Sequence, residues 1–458
     1  MKRIVVVLFL ISIFLISFLP VKDTDFGWHY RCGKEFLNSG SLCIKNNFSY
    51  FLPNYKFYYT GHLYDILIAF IYNRWGFLGI SVIGSLIFVL TTIFFTKLIN
   101  NIKLAFLFYF ISFFLSYPIL SLGLRPQIIS FLFLLILLWL LTSKNKKIFY
   151  FIPILLLFWV NLHIGFFIGL FVLGFFIFQK NISINLTQKI LIVIISFLAT
   201  LINPFGIKVY KEIFNHLNSP LGSMIAEWTR PSFFHLFLIS ILAIIGITYT
   251  IKRKPINYFF IFLLIFFSFL SLTARRNTPF FYPIFFYTTQ DLFKKIINLD
   301  WVRYELIIPV LSTVTIFTFI IQIPTTIKFD TSWTRYCQSG QTIYPCQAIK
   351  KIPQLAGNIY NNYEWGGFLI WQKTNVKVFI DGRMPAWHDE DGRSPYQVFL
   401  DIIQTQPGWN EKLNKFKTDY LLISSGSFLD LLLQKESIKY NWQETYRDDI
   451  AVIYKNTR

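Results

Sequence analysis

The residues able to do chemistry in this 458-residue chain gather at the ends of long apolar runs. The sharpest group is Asp23-Thr24-Asp25-Phe26-Gly27-Trp28-His29, which follows the first such run. Two carboxylates two residues apart at a membrane edge are costly to place and tend to be functional. Such a group can take the proton of an acceptor hydroxyl or hold a metal. The plain alternative is a solvated juxtamembrane acid. Arg125-Pro126-Gln127 and Arg275-Arg276-Asn277 carry the opposite charge. Guanidinium groups grip a phosphate through paired hydrogen bonds, or else they anchor to lipid headgroups. Asn161-Leu162-His163, Asn203-Pro204-Phe205-Gly206 and Glu227-Trp228 occupy comparable positions. His163 reads equally as a structural histidine or a proton carrier.

These groups need elements to position them. A helix crosses a bilayer in about 20 apolar residues. Spans read near 4–20, 76–96, 104–121, 127–142, 148–160, 164–178, 189–202, 233–251, 256–273, 279–293 and 305–322, about eleven in all. The stretch 62–74 reads as an amphipathic interfacial helix. No small-residue cleavage site follows the first span, so it is expected to stay as a helix. Cytoplasmic loops carry the excess of Lys and Arg. Threaded in order, Lys2 and Arg3, Lys97 and Lys103, Lys144 to Lys147, Lys180 and Lys189, Lys252 to Lys254, and Lys294, Lys295 and Arg303 all fall on one side. The N-terminus is therefore expected in the cytoplasm and residues 323–458 outside. Arg125, Arg275 and Arg276 break this pattern and need another reason to exist.

Composition agrees. The chain is 55% hydrophobic and only 14% charged, against about a quarter charged in soluble domains. The net charge of +20 follows from the charge bias of the loops, so no nucleic-acid partner is implied. The four cysteines lie on the expected outer side as two close pairs, and an oxidising face favours the disulfides Cys32–Cys43 and Cys337–Cys346.

The tail, 323–458, reads as an α/β domain. Strands are expected at 357–361, 376–380, 419–423 and 450–454, with helices near 345–353, 395–404 and 427–436. Gly366 and Gly367 read as a tight turn. Asp381 and Arg383 form a local salt bridge or face the membrane region.

In order and position together, these motifs resemble a bacterial family within the GT-C superfamily of membrane glycosyltransferases, distant relatives of protein O-mannosyltransferases and aminoarabinose transferases. The matching residues are Asp23 to His29, Arg125 to Gln127, Trp159 to His163, Asn203 to Gly206, Glu227-Trp228, Arg275 to Asn277, Tyr363 to Phe368 and Phe379 to Arg383. Where the family shows a His-Glu-Trp-Leu run, this chain has Thr60-Gly61-His62-Leu63-Tyr64-Asp65, keeping only Leu63 and Asp65. The resemblance implies an α-helical polytopic fold, with a membrane domain 1–322, its first outer loop 22–75, and an extracytoplasmic α/β domain 323–458. It implies sugar transfer from a polyprenyl-phosphate donor to an acceptor hydroxyl on a glycan, lipid or protein, at the outer face of the plasma membrane. Asp23 or Asp25 would be the base, Arg125, Arg275 and Arg276 would bind the donor phosphate, and His29, Asp65, Asn161, His163 and Glu227 are further site candidates. No cofactor is expected, and no metal is assigned, since a donor with one phosphate has less need of a divalent ion. Two rivals are a transporter of lipid-linked glycans, disfavoured by the uninterrupted spans, and a non-catalytic assembly protein on the same scaffold.

Overall fold

The computed structural model describes residues 2–297 except 20, 22, 121, 181–183, 221, 223 and 224. It also describes 308–320 except 311 and 318, then 337, 344–351, and 356–458 except 390. The span expected at 305–322 is only partly covered, and the boundary at 323 and Arg303 lie outside the described residues. The chain is mostly helical, with one small sheet in its C-terminal part. It divides into two compact units. The first comprises Met1–Leu19, Ser81–Ile207 and Ile225–Phe329; the second comprises Pro20–Ile80, Lys208–Met224 and Asp330–Arg458.

The first unit is a set of apolar helices. They include Lys2–Ile16, Ile102–Leu120, Pro126–Thr142, Ile152–Leu162, Phe166–Phe176, Leu186–Thr200, Phe233–Lys252, Tyr258–Thr273 and Thr278–Ile296. Leu, Ile and Phe dominate them, and several starts are set by proline at the first positions, where no N–H is needed, as at Pro126, Pro153 and Pro279. Packing is aromatic: Phe108 stacks on Phe286 at 4.2 Å between centroids. Large apolar side chains also point outward, with Phe114 at 78% and Phe233 at 83% exposure. Exposed apolar surface on this scale suits lipid better than water. Three helices, His62–Leu98, Ile102–Leu120 and Ala226–Lys252, are long and apolar enough to cross a membrane. Among the described residues, the other apolar helices fall in most of the remaining expected spans but lack the length or the apolar run of a crossing, so the structure does not give a count of eleven crossings.

His62–Leu98 is one 37-residue helix with a break at Gly76, whose φ of 56° and ψ of −151° are non-helical. Only glycine takes such a backbone cheaply. The break falls between the interfacial segment and the span read separately from the sequence.

The second unit is built on a five-stranded sheet: β1 (Gly357–Asn361), β2 (Val376–Val378), β3 (Tyr420–Ser424), β4 (Trp442–Arg447) and β5 (Ala451–Asn456), in the order β2-β1-β3-β5-β4. β2, β1 and β3 run parallel; β5 pairs antiparallel with β3 and β4. The loop after the helix Phe26–Ser39 adds to the β2 edge, where Val378 donates to the Phe48 carbonyl at 3.0 Å and accepts from Tyr50 at 3.2 Å. Two helices cross at glycine. A Cβ at Gly27, in the helix Phe26–Ser39, would overlap the Gly367 carbonyl. A Cβ at Gly33 would overlap the Asp65 carbonyl in the first turn of His62–Leu98. Trp371 fills the joint against Phe26, Tyr72 and Phe77.

Both expected disulfides form, with Cα atoms 5.5 Å apart for Cys32–Cys43 and 6.2 Å for Cys337–Cys346. The reading of Gly366 and Gly367 as a turn is corrected: they open the helix Gly366–Gln372. Small side chains are needed there because other backbone passes against them. β4 escaped the sequence reading because its Gln443-Glu444-Thr445 core is exposed and polar.

Candidate functional site

In the first unit the three arginines converge. Arg125 precedes Pro126 as the N-cap of Pro126–Thr142, a place that projects its side chain off the helix end. It pairs with Glu227. Arg276 lies over the Trp228 ring, 4.4 Å from its centroid, a favourable cation–π distance. Arg275 donates from Nε to Thr229 Oγ1 at 3.2 Å and from its backbone to the Thr229 carbonyl at 2.9 Å. Arg275 and Arg276 of the single-turn helix Arg275–Asn277, with Arg125 from the start of Pro126–Thr142, thus place three guanidinium groups around the carboxylate of Glu227 in the single-turn helix Ala226–Trp228. The cluster keeps a net positive charge, the requirement for holding a phosphate.

His163 stands within electrostatic reach of the cluster. Burial, then the charges of Arg276 and Arg125, push its pKa down to about 3. The ring is therefore neutral at physiological pH. Its Nδ1 accepts from the Gly165 N–H at 3.2 Å and meets Ser130 Oγ at 2.6 Å, while Ser130 accepts from Trp159 Nε1 at 2.7 Å. Asn161 donates to the carbonyls of Leu157 and Ile202 at 2.8 and 3.0 Å. That ties the start of Asn203-Pro204-Phe205-Gly206 to the helix Ile152–Leu162.

In the second unit, motifs far apart in sequence meet. Asp23 is buried, and its Oδ1 accepts the Asp25 N–H at 3.2 Å, closing the turn that starts Phe26–Ser39. Asp25 packs on the Asp381-Gly382-Arg383 turn, where a Cβ at Gly382 would overlap its carboxylate. A Cβ at Gly366 would crowd Asp381, and one at Gly367 the Thr24 carbonyl. Asp381 and Arg383 form a buried bidentate pair with two bonds of 2.7 Å, which selects the local salt bridge between the two sequence readings. Arg383 is also enclosed by the rings of Phe48, Trp387 and Trp28, at 5.0, 5.5 and 6.0 Å.

His29 and Asp65 also come together, Nδ1 to Oδ1 at 2.6 Å, both buried. Tyr59 donates to the other Asp65 oxygen. Burial first, and Asp65 second, hold the Tyr59 hydroxyl well above its ordinary pKa, so the phenol keeps its proton. This trio fastens the helix bearing Asp25 to the interfacial segment. Sequence reasoning missed Tyr59, Ser130 and Trp387. It named both Glu227 and Arg125 without pairing them. The available signal was glycine: Gly27, Gly366, Gly367 and Gly382 all sit inside the motifs that meet. Among the described residues, no three His, Cys, Asp or Glu side chains group to hold a metal ion.

Several solved structures share this architecture. One is the Archaeoglobus fulgidus oligosaccharyltransferase AglB in complex with an inhibitory peptide and a dolichol-phosphate. It has a TM-score of 0.58 and 11% identity, covering 92% of this chain and 69% of that one. In fold, this chain is similar to an archaeal oligosaccharyltransferase. The same enzyme tethered to an acceptor peptide containing the NVT sequon matches with a TM-score of 0.59 and 10% identity, over 100% of this chain and 74% of that one. Its apo form gives 0.57 and 11%, over 92% and 69%. No family model and no curated protein sequence matches the chain. At such identity the likeness is one of fold.

Proposed function

We propose that this chain is a membrane glycosyltransferase that moves a sugar from a polyprenyl-phosphate-linked donor to an acceptor hydroxyl at the outer face of the plasma membrane. The observation that carries this reading is the convergence of Arg125, Arg275 and Arg276 on the Glu227-Trp228-Thr229 segment, in a fold similar to an enzyme solved with a dolichol-phosphate. In the reaction the acceptor oxygen bonds to the anomeric carbon, the bond from that carbon to the phosphate oxygen breaks, and the lipid phosphate leaves with the electron pair. The arginines would stabilise the charge that grows on this phosphate, where fixed donors act most strongly. Asp25 or Asp23 would take the acceptor proton. His29, Asp65 and Tyr59 would position the helix that carries them, and neutral His163 would hold the Ser130 and Trp159 side. About eleven crossings, a cytoplasmic N-terminus and an outer tail belong to this proposal, as does the acceptor class of glycan, lipid or protein.

The test is Arg276→Gln in purified protein supplied with a polyprenyl-phosphate sugar. Loss of one such donor lowers kcat by roughly 10²- to 10³-fold. An unchanged rate of lipid-phosphate release would remove the arginines from the mechanism.

A further inference from the structure

The second unit holds a cavity of about 170 Å³ lined by Arg31, Asn47, Phe48, Lys373, Asn375 and Lys377, with Ile370, Thr374 and Val376 completing it. That space is enough for several waters or one small polar ring.

Its walls are fixed by covalent and backbone ties. Arg31 comes from the helix Phe26–Ser39, which the Cys32–Cys43 disulfide joins to the following loop. Asn47 and Phe48 come from the segment hydrogen-bonded to the edge of β2. Lys373 is the C-cap of Gly366–Gln372, the helix locked to Phe26–Ser39 at Gly27 and Gly367. Lys377 is the outward residue of β2, between buried Val376 and Val378. A cavity so framed is preformed and needs little ordering on binding.

Its chemistry is one-sided. Three cations line it and no carboxylate does. The nearest acid tied to a lining residue is Glu35, 3.8 Å from Arg31 and half-exposed with it, so that charge is only partly offset. Partial burial lowers the Lys373 ammonium from its ordinary pKa. Two amides and a hydroxyl supply further polar partners, and Phe48, Ile370 and Val376 give an apolar floor. An apolar floor suits the C–H face of a sugar ring, amides suit its hydroxyls, and cations suit an attached acid.

We propose that this cavity is a binding site for a sugar-borne oxyanion, a carboxylate or phosphate on a carbohydrate. The site is separate from the residues assigned to transfer, and stands whether or not the chain transfers sugars.

The experiment is calorimetric titration of the full-length protein in detergent at low ionic strength with glucuronate, inorganic phosphate and glucose. Saturable binding of glucuronate assigns the carboxylate source, and saturable binding of phosphate that persists without Arg125, Arg275 and Arg276 assigns the phosphate source; either supports the site. Affinity should fall as salt screens the cations. The variant Arg31→Gln/Lys373→Gln/Lys377→Gln should bind roughly tenfold or more weakly. Arg125→Gln/Arg275→Gln/Arg276→Gln should bind glucuronate as wild type does and lose only phosphate held by the arginine cluster, which separates this cavity from that cluster. Lys377→Gln alone changes only an exposed side chain, keeps the fold, and should weaken binding several-fold. Glucose binding as tightly as glucuronate, no saturation by either anion at millimolar concentration, or full affinity in the triple variant would overturn the proposal.

Discussion

Gly382→Ala separates the position of Asp25 from the stability of the fold. Gly382 does not have a positive φ, so alanine adopts its backbone without strain. The new methyl would overlap Asp25 Oδ1 and sit 2.7 Å from Asp25 Cγ. Ordinary contact begins at 3.4 Å, so the carboxyl carbon must retreat by about 0.7 Å or the side chain must rotate. A half-exposed carboxylate does so for about 0.5–1.5 kcal/mol of rotamer strain, a change of a few degrees in Tm. Catalysis is less forgiving, since a misplacement of about 1 Å can cost roughly 10²-fold in rate. Gly27→Ala is the contrast. There the methyl meets the Gly367 backbone carbonyl, which cannot rotate away, and overpacking of this kind costs about 1–3 kcal/mol or more. The assay pairs thermal unfolding with sugar transfer for wild type, Gly382→Ala, Gly27→Ala and Asp25→Asn. The expected pattern is a stable, slow Gly382→Ala and a destabilised Gly27→Ala. Gly382→Ala at the wild-type rate, with Asp25→Asn inactive, would refute the displacement argument.

Two further outcomes follow from the same geometry. The Cys32–Cys43 bridge closes a loop of separation 11, worth about 3 kcal/mol by chain entropy. Cys32→Ser/Cys43→Ser should lose about that much by denaturant titration, and no loss would contradict the constraint. His163 has its pKa lowered from 6.5 to about 3, so between these values the unfolded chain binds the extra proton and the folded chain does not. Stability from this residue is present above pH 6.5 and is lost as pH falls toward 3. Melting curves across that range should show the loss in wild type and a smaller one in His163→Gln; equal slopes would contradict it.

Much of this was legible in the sequence because it rests on composition and short-range pattern. Apolar runs marked the helices, the strands β1, β2, β3 and β5 showed as buried β-branched or aromatic segments, and close cysteine spacing gave both disulfides. The convergence of Asp23-Thr24-Asp25, Trp365-Gly366-Gly367 and Asp381-Gly382-Arg383 was not legible. It depends on backbone passing over glycine between segments more than 300 residues apart, and spacing cannot report this. The same holds for Arg125 and Glu227, paired across 102 residues. Helix count was partly hidden too: short helices such as Ile152–Leu162 and Phe166–Phe176 meet the hydropathy of a span without its length. The Gly366-Gly367 reading failed because glycine serves turns and close contacts alike, and only the neighbour decides which.

In the proposed reaction, sugar transfer depends on the carboxylates of Asp23 and Asp25. Its most direct measurement supplies purified wild type and Asp23→Asn/Asp25→Asn with a labelled polyprenyl-phosphate sugar and a panel of hydroxyl-bearing acceptors. The expected result is labelled product from wild type and a loss of roughly 10²- to 10⁴-fold in the double variant. Transfer by the double variant at the wild-type rate would contradict the account.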